Sequence, residues 1–140
     1  MKVMAIVKAS PQSEAGVMPD AGLLEAMTRF NEALAEAGVL LAGEGLKPSS
    51  NGVRVRYEGA QRHVSDGPFA DTRTLVAGFW LWQVRSMEEA VEWARRCPSP
   101  HPDGGEVELR PLYETEDFGE ALSPDLRERE QRLREATGNV

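Results

Sequence analysis

The segment Leu75 to Val84, LVAGFWLWQV, constrains this chain more than any other. It reads as a β-strand, and strand side chains alternate between faces. One face carries Leu75, Ala77, Phe79 and Leu81; the other carries Val76, Trp80, Trp82 and Val84. Both faces are apolar, so both call for burial. Two helices suffice to cover one face of a small sheet. Leaving Trp80 and Trp82 in water would expose a larger patch than monomers tolerate. The simplest lid is a second copy of the same sheet, so we expect a two-fold homodimer closed over the tryptophan face. Burying one Trp removes ~150–250 Å² from water. That corresponds to roughly 4–6 kcal/mol as a gross upper figure, before association costs. The competing lid is the chain's own hairpin or tail.

The surrounding pattern supplies the other elements. Val3 to Val7 is a short apolar run flanked by Lys2 and Lys8, a buried strand. A loop with Pro11, Ser13, Gly16 and Pro19 follows. Asp20 is placed to cap a helix whose face carries Leu23, Met27, Phe30 and Leu34, with Gly38 ending it. Val39 to Ala42 reads as a strand ended by Gly43 and Gly45. Val53, Val55 and Tyr57 alternate with Arg54, Arg56 and Glu58, and Gln61 to Ser65 is expected to pair back as a hairpin. Ser86 and Glu89 form a capping box for a helix carrying Met87, Ala90, Val91 and Ala94. Glu106 to Leu112 reads as the last strand, with Pro111 marking an end or an edge. Ser123-Pro124-Asp125 opens a charged helix to about Ala136, with a thin stripe of Leu122, Leu126 and Leu133. This order predicts an α+β protein, a ferredoxin-like sandwich with an inserted β-hairpin.

At 140 residues the chain has the size of one domain, expected over residues 1–120 with a charged helical tail over 121–140. The net charge of −7 argues against phosphate tracking on nucleic acid and against anionic membranes. No apolar run approaches a membrane span or a signal-peptide core, which reads as cytoplasmic. The single cysteine, Cys97, excludes an internal disulfide framework. No metal-ligand spacing, phosphate loop or nucleophile elbow is visible, so no cofactor and no metal are expected.

Several segments together resemble one family. His63-Val64-Ser65-Asp66-Gly67-Pro68-Phe69-Ala70-Asp71-Thr72, running on to Ala77-Gly78-Phe79-Trp80, is similar to the signature of the YCII-related, DGPF-type proteins. Leu41 to Pro48 resembles that family's segment before the hairpin, and Met87 to Ala94 its second helix. Pro98-Ser99 and Gly105 to Pro111 resemble its closing strand. The resemblance spans roughly residues 1–120. It implies a dimeric α/β barrel and a pocket near the DGPF turn, but no settled reaction. The wider superfamily includes a dehydrochlorinase and muconolactone-isomerase-like proteins, in which a His-Asp pair is proposed to move protons. DGPF members are often encoded beside extracytoplasmic-function sigma factors, which implies a regulatory role as an alternative. Relatives with the pair carry the His near the start of the first helix. This chain has Leu23, Leu24 and Met27 there, so the pair is not carried over intact.

Asp66 is the first candidate for catalysis, as a general acid or base; it is equally a turn former before Gly67-Pro68. His63 is the second candidate, if the turn brings it back to Asp66, against the simpler reading of an exposed hairpin histidine. Gly67, Pro68, Phe69 and Trp80 are expected to shape the pocket, with Glu44, Arg54 and Arg56 at its mouth. An arginine there favours a carboxylate or other anionic ligand, although a solvated strand face explains Arg54 and Arg56 more simply. His101, among prolines, reads as inert. The residues thus support a cofactor-independent enzyme moving a proton on a small organic molecule. The alternative is a non-catalytic metabolite-binding or transcription-linked module.

Overall fold

The structure, a computed structural model, describes residues 1–102 and 104–138. Four strands form one antiparallel sheet: β1 (Lys2–Lys8), β2 (Leu40–Gly45), β5 (Val76–Gln83) and β6 (Val107–Pro111). Their spatial order is β2-β5-β1-β6. Helices α2 (Ala21–Glu36) and α3 (Met87–Arg96) make the two crossovers. This is the ferredoxin-like arrangement. The hairpin β3 (Val53–Glu58) and β4 (Gln61–Asp66) is inserted between β2 and β5 as a separate two-stranded sheet. A short helix α1 (Pro11–Glu14) and a terminal helix α4 (Pro124–Thr137) complete the chain.

The caps form much as the residue types predict. Asp20 Oδ1 accepts from the Leu23 N–H at 2.8 Å, and Gly38 leaves α2 with a left-handed φ of 73°. Ser86 Oγ accepts from the Glu89 N–H at 3.2 Å. Glu89 does not close the box on Ser86; its Oε2 accepts from the Arg85 N–H at 2.7 Å instead. That bond is the first cause holding the Glu89 carboxyl below its ordinary range. Pro111 ends β6, an edge strand, where a missing N–H does no harm.

The core corrects one expectation. Trp80 and Trp82 do not wait for a second copy: both are buried beneath the chain's own helices. The Phe30 ring meets Trp80, Trp82 and Trp93 edge-on at centroid distances of 5.7, 6.3 and 6.4 Å. The Trp80 Nε1–H donates to Asn31 Oδ1 at 2.8 Å, which satisfies the one polar atom of that indole. Val3, Ala5, Leu34, Val39 and Ala90 fill the remaining space. The alternation was read correctly and the side was not. Both faces of β5 are apolar, so alternation alone does not say which one the helices take; the bulkier rings fill the wedge between sheet and helices. The face left over is that of Ala77, Phe79 and Leu81, joined across β1 by Met4 and Ile6. These side chains are half-buried and lie outside the core cluster.

Strand β2 also runs further than its composition suggests. Gly43 and Gly45 lie inside it and pair with Trp80 and Gly78. A Cβ on Gly43 would sit 2.7 Å from Trp80 Cδ1, and one on Gly78 would sit 2.9 Å from the Glu44 carbonyl oxygen. Gly43 and Gly78 are therefore positions of close approach, while Gly45, with open space around it, is the last residue of β2.

We expect Trp82→Ala to destabilise the fold by about 3–5 kcal/mol, measured by urea unfolding, because the residue is fully buried. Leu133→Ala, on the exposed α4, should change stability by no more than about 0.5 kcal/mol.

Candidate functional site

A cleft of about 430 Å³ opens where α1, the 46–52 turn, β3 and the chain after β4 converge. Its walls are Leu46, Pro48, Phe69, Leu75 and Val76, and its polar groups include Glu14, Lys47, Ser49, Asn51, Arg54 and Thr74. The local sequence explains why these segments meet. Ser10 caps α1, with its Oγ accepting from the Ser13 N–H at 3.1 Å, and Pro11 starts the helix. That turn delivers Glu14. The Glu14 carboxylate accepts from the Ser49 N–H at 3.0 Å and also from the Ser49 hydroxyl. The same Ser49 Oγ accepts from the Phe69 N–H at 3.0 Å. One serine thus ties the helix, the turn and the Asp66-Gly67-Pro68-Phe69 segment together.

Gly67 belongs to this clamp. Its N–H donates to the Gly52 carbonyl at 2.9 Å, and a Cβ at this position would fall 1.7 Å from the Ser49 carbonyl oxygen. No other residue fits there. The Gly67–Pro68 peptide bond is cis, and Phe69 lines the cleft. The Arg54 guanidinium stacks on the Phe69 ring at 3.8 Å from its centroid. Just beyond, Asp71 caps a 3-10 turn by accepting from the Arg73 N–H at 3.0 Å. Hydrogen bonds from the Arg73 side chain, then its backbone, lower the Asp71 pKa.

Of the residues singled out from sequence, the structure brings Arg54 and Phe69 into the cleft; Gly67 packs against Ser49 and Gly52 of its lining, and Pro68 is not part of that lining. Asp66 ends β4 opposite Val53, exposed, with no side-chain hydrogen bond or ion pair among the described residues. His63 pairs with Arg56 in the hairpin register, and three residues of strand put it on the face opposite Asp66. The two do not meet. His63 Nε2 lies instead 3.1 Å from Glu58 Oε2, without hydrogen-bond alignment, and Arg56 Nη1 reaches the same oxygen at 3.2 Å. Arg56 is therefore part of a hairpin-tip charge cluster and not of the cleft. Glu44 stands beside Phe79 on the half-buried face of the main sheet. Trp80 is in the core, held by Asn31, and does not line the cleft.

Reading the sequence alone missed Glu14, Lys47, Ser49 and Asn51. The Ser10-Pro11 pair was an available signal for the helix that presents Glu14; the other three sit in a stretch that composition marks only as a turn. His101 was also underestimated. It is buried, and its Nε2 donates to the Lys8 carbonyl at 2.8 Å, fastening the 98–102 loop to the end of β1. Cys97 lines a second cleft beside β6, where burial pushes its thiol pKa up to about 11, so it stays protonated and a poor nucleophile. Among the described residues there is no cluster of three or more metal-ligating side chains, and no helix long and apolar enough to cross a membrane.

An uncharacterized protein of Rhizobium meliloti (strain 1021) is 36% identical over 77 residues, covering 55% of this chain and 62% of that protein. The match thus spans less than two thirds of that relative's length. Among solved structures, the 5-chloro-2-hydroxyhydroquinone dehydrochlorinase of Burkholderia phenoliruptrix AC1100, in complex with 2,5-dihydroxybenzoquinone, is similar with a TM-score of 0.48. It is 12% identical, over 84% of this chain and 98% of that one. The family model of the YCII-related domain matches residues 1–116. A match that runs through the helices α1 to α3, the inserted hairpin and every strand makes this chain a member of the YCII-related family.

Proposed function

We propose that the protein binds a small organic molecule in the cleft beside the DGPF turn. The observation that carries this reading is the Ser49 clamp. Three chain segments distant in sequence are fastened by one side chain, and what they enclose is a concave surface with apolar walls and a few convergent polar groups. Such an arrangement is built to be held in shape. A turn needed only to connect strands would not require Glu14 and Phe69 to share one hydroxyl.

Proton transfer by Asp66 is a second reading, supported by one feature. This carboxylate stands at the DGPF turn without an internal partner, so nothing in the fold consumes its charge. His63 would take no part in it, being turned to the other face and committed to Glu58. A transcription-linked regulatory role has a separate support in α4, which is charged and buries no residue.

We also propose a homodimer, now through the other face of the sheet. Met4, Ile6, Phe79 and Leu81 are apolar, adjacent and only half-buried in a single chain. A second copy laid on them through a two-fold axis would finish their burial.

Three outcomes follow. Ser49→Ala should leave the Phe69 N–H without its acceptor and Glu14 with the Ser49 N–H alone, cost about 1–3 kcal/mol, and abolish ligand stabilisation in a thermal-shift screen of small carboxylates and phenols; retained stabilisation would contradict the clamp. Asp66→Asn should remove any turnover while leaving ligand-induced stabilisation intact, whereas a variant that keeps full turnover rules out the proton-transfer reading. Leu81→Lys should yield a folded monomer where light scattering finds the parent chain as a dimer; a monomeric parent ends the dimer proposal.

A further inference from the structure

We infer that the cleft selects small organic monocarboxylates, with Arg54 and Lys47 receiving the carboxylate and the apolar walls receiving the body of the molecule. This rests on the cleft being the binding site and says what chemistry it prefers.

The charge balance of the cleft points to an anion. The chain carries a net charge of −7, so its cations have acids in excess to pair with. Most of its arginines do so, as in Arg29–Glu25, Arg73–Asp71, Arg85–Glu89 and Arg132–Glu128. Lys47 and Arg54 have no carboxylate within ion-pair distance among the described residues, and both line the cleft. The nearest acid in the lining, Glu14, is engaged by the Ser49 N–H and hydroxyl. Two unmatched cations in one concavity of an acidic protein form a local reversal of field.

Geometry sharpens this to a carboxylate. The Arg54 guanidinium carbon lies over the Phe69 ring, 3.8 Å from its centroid, and its N–H groups make no hydrogen bond to another described residue. A guanidinium presented edge-on matches the two oxygens of a carboxylate in a paired bond. The Asn51 side chain, also in the lining, makes no hydrogen bond to another described residue and offers a further donor. Glu14 sets an upper limit on charge: a monoanion meets two cations and one occupied acid, whereas a dianion adds repulsion. Leu46, Pro48, Phe69, Leu75 and Val76 offer nothing to a bare ion, so the ligand needs an apolar body about the size of a ring. Because the cleft is open, a minimal ligand should bind weakly, with a Kd on the order of a millimolar.

The test is calorimetric titration of the full chain with benzoate, its neutral counterpart benzamide, and acetate, repeated on Arg54→Gln and Lys47→Gln. We expect benzoate to bind at least about tenfold more tightly than either benzamide or acetate. Each substitution should weaken benzoate by about tenfold, leave benzamide unchanged, and preserve the unfolding midpoint. Added salt should weaken benzoate alone. Benzamide binding as tightly as benzoate, with both variants indifferent, would overturn the carboxylate assignment while leaving the cleft as the site. Acetate matching benzoate would overturn the apolar half. Binding by none of the three would overturn the carboxylate assignment and count against the cleft itself. Benzoate binding that both variants leave untouched would place the anion elsewhere.

Discussion

The edge-on packing of Phe30 against Trp80, Trp82 and Trp93 decides which side of the sheet is the inside. Everything else follows from that choice. With Trp80 and Trp82 of the sheet under α2 and α3, and Trp93 reaching in from α3 itself, the ferredoxin-like unit closes its core within one chain. Gly43 and Gly78 are then required where β2 presses on β5 and on the Trp80 ring. The opposite face, with Met4, Ile6, Phe79 and Leu81, is left as the surface that a single chain does not finish. The hairpin extends the same theme. Tyr57 and Val64 share one face of it and are 72% and 67% exposed, an apolar surface continuing outward from the sandwich.

The DGPF turn takes its meaning from the same frame. From sequence it reads either as a catalytic motif or as a bend. Its surroundings favour a third role, that of a strut: Gly67 lies against the Ser49 carbonyl, Phe69 hangs from the Ser49 hydroxyl, and Glu14 closes the triangle from α1. These short polar contacts hold the cleft walls at fixed positions, which is what a binding surface with few polar groups depends on. The motif therefore fixes where Phe69 stands beneath Arg54, while Asp66 remains outside the clamp as an exposed carboxylate.

The fold was largely legible because strand and helix periods are local. Val3–Val7, the Leu23-Met27-Phe30-Leu34 face, the Val53–Tyr57 alternation and the Ser86 cap each declare themselves within a few residues. Where two answers were equally apolar, the sequence was silent: both faces of β5 satisfied the same pattern, and only the helices could choose between them. Gly43 misled for a related reason, since a residue chosen for close approach looks locally like one chosen to stop a strand. The site was half legible. Arg54 and Phe69 belong to the hairpin and its turn and line the cleft, whereas Gly67 and Pro68 of the same turn do not. Glu14, Lys47, Ser49 and Asn51 come from other segments and acquire their role only when folding brings them together. Asp66 and His63, three residues apart along a strand, lie on opposite faces, as that spacing implies.

If the space between Glu14, Ser49, Arg54 and Phe69 is a binding site held in shape by the Ser49 clamp, benzoate must bind there. Amide chemical-shift mapping during titration with benzoate tests it most directly. Shifts concentrated on residues 46–54 and 67–76 would bear the account out. Shifts confined to the second cleft, at residues 94–100 and 104–109, or spread evenly over the surface, would contradict it.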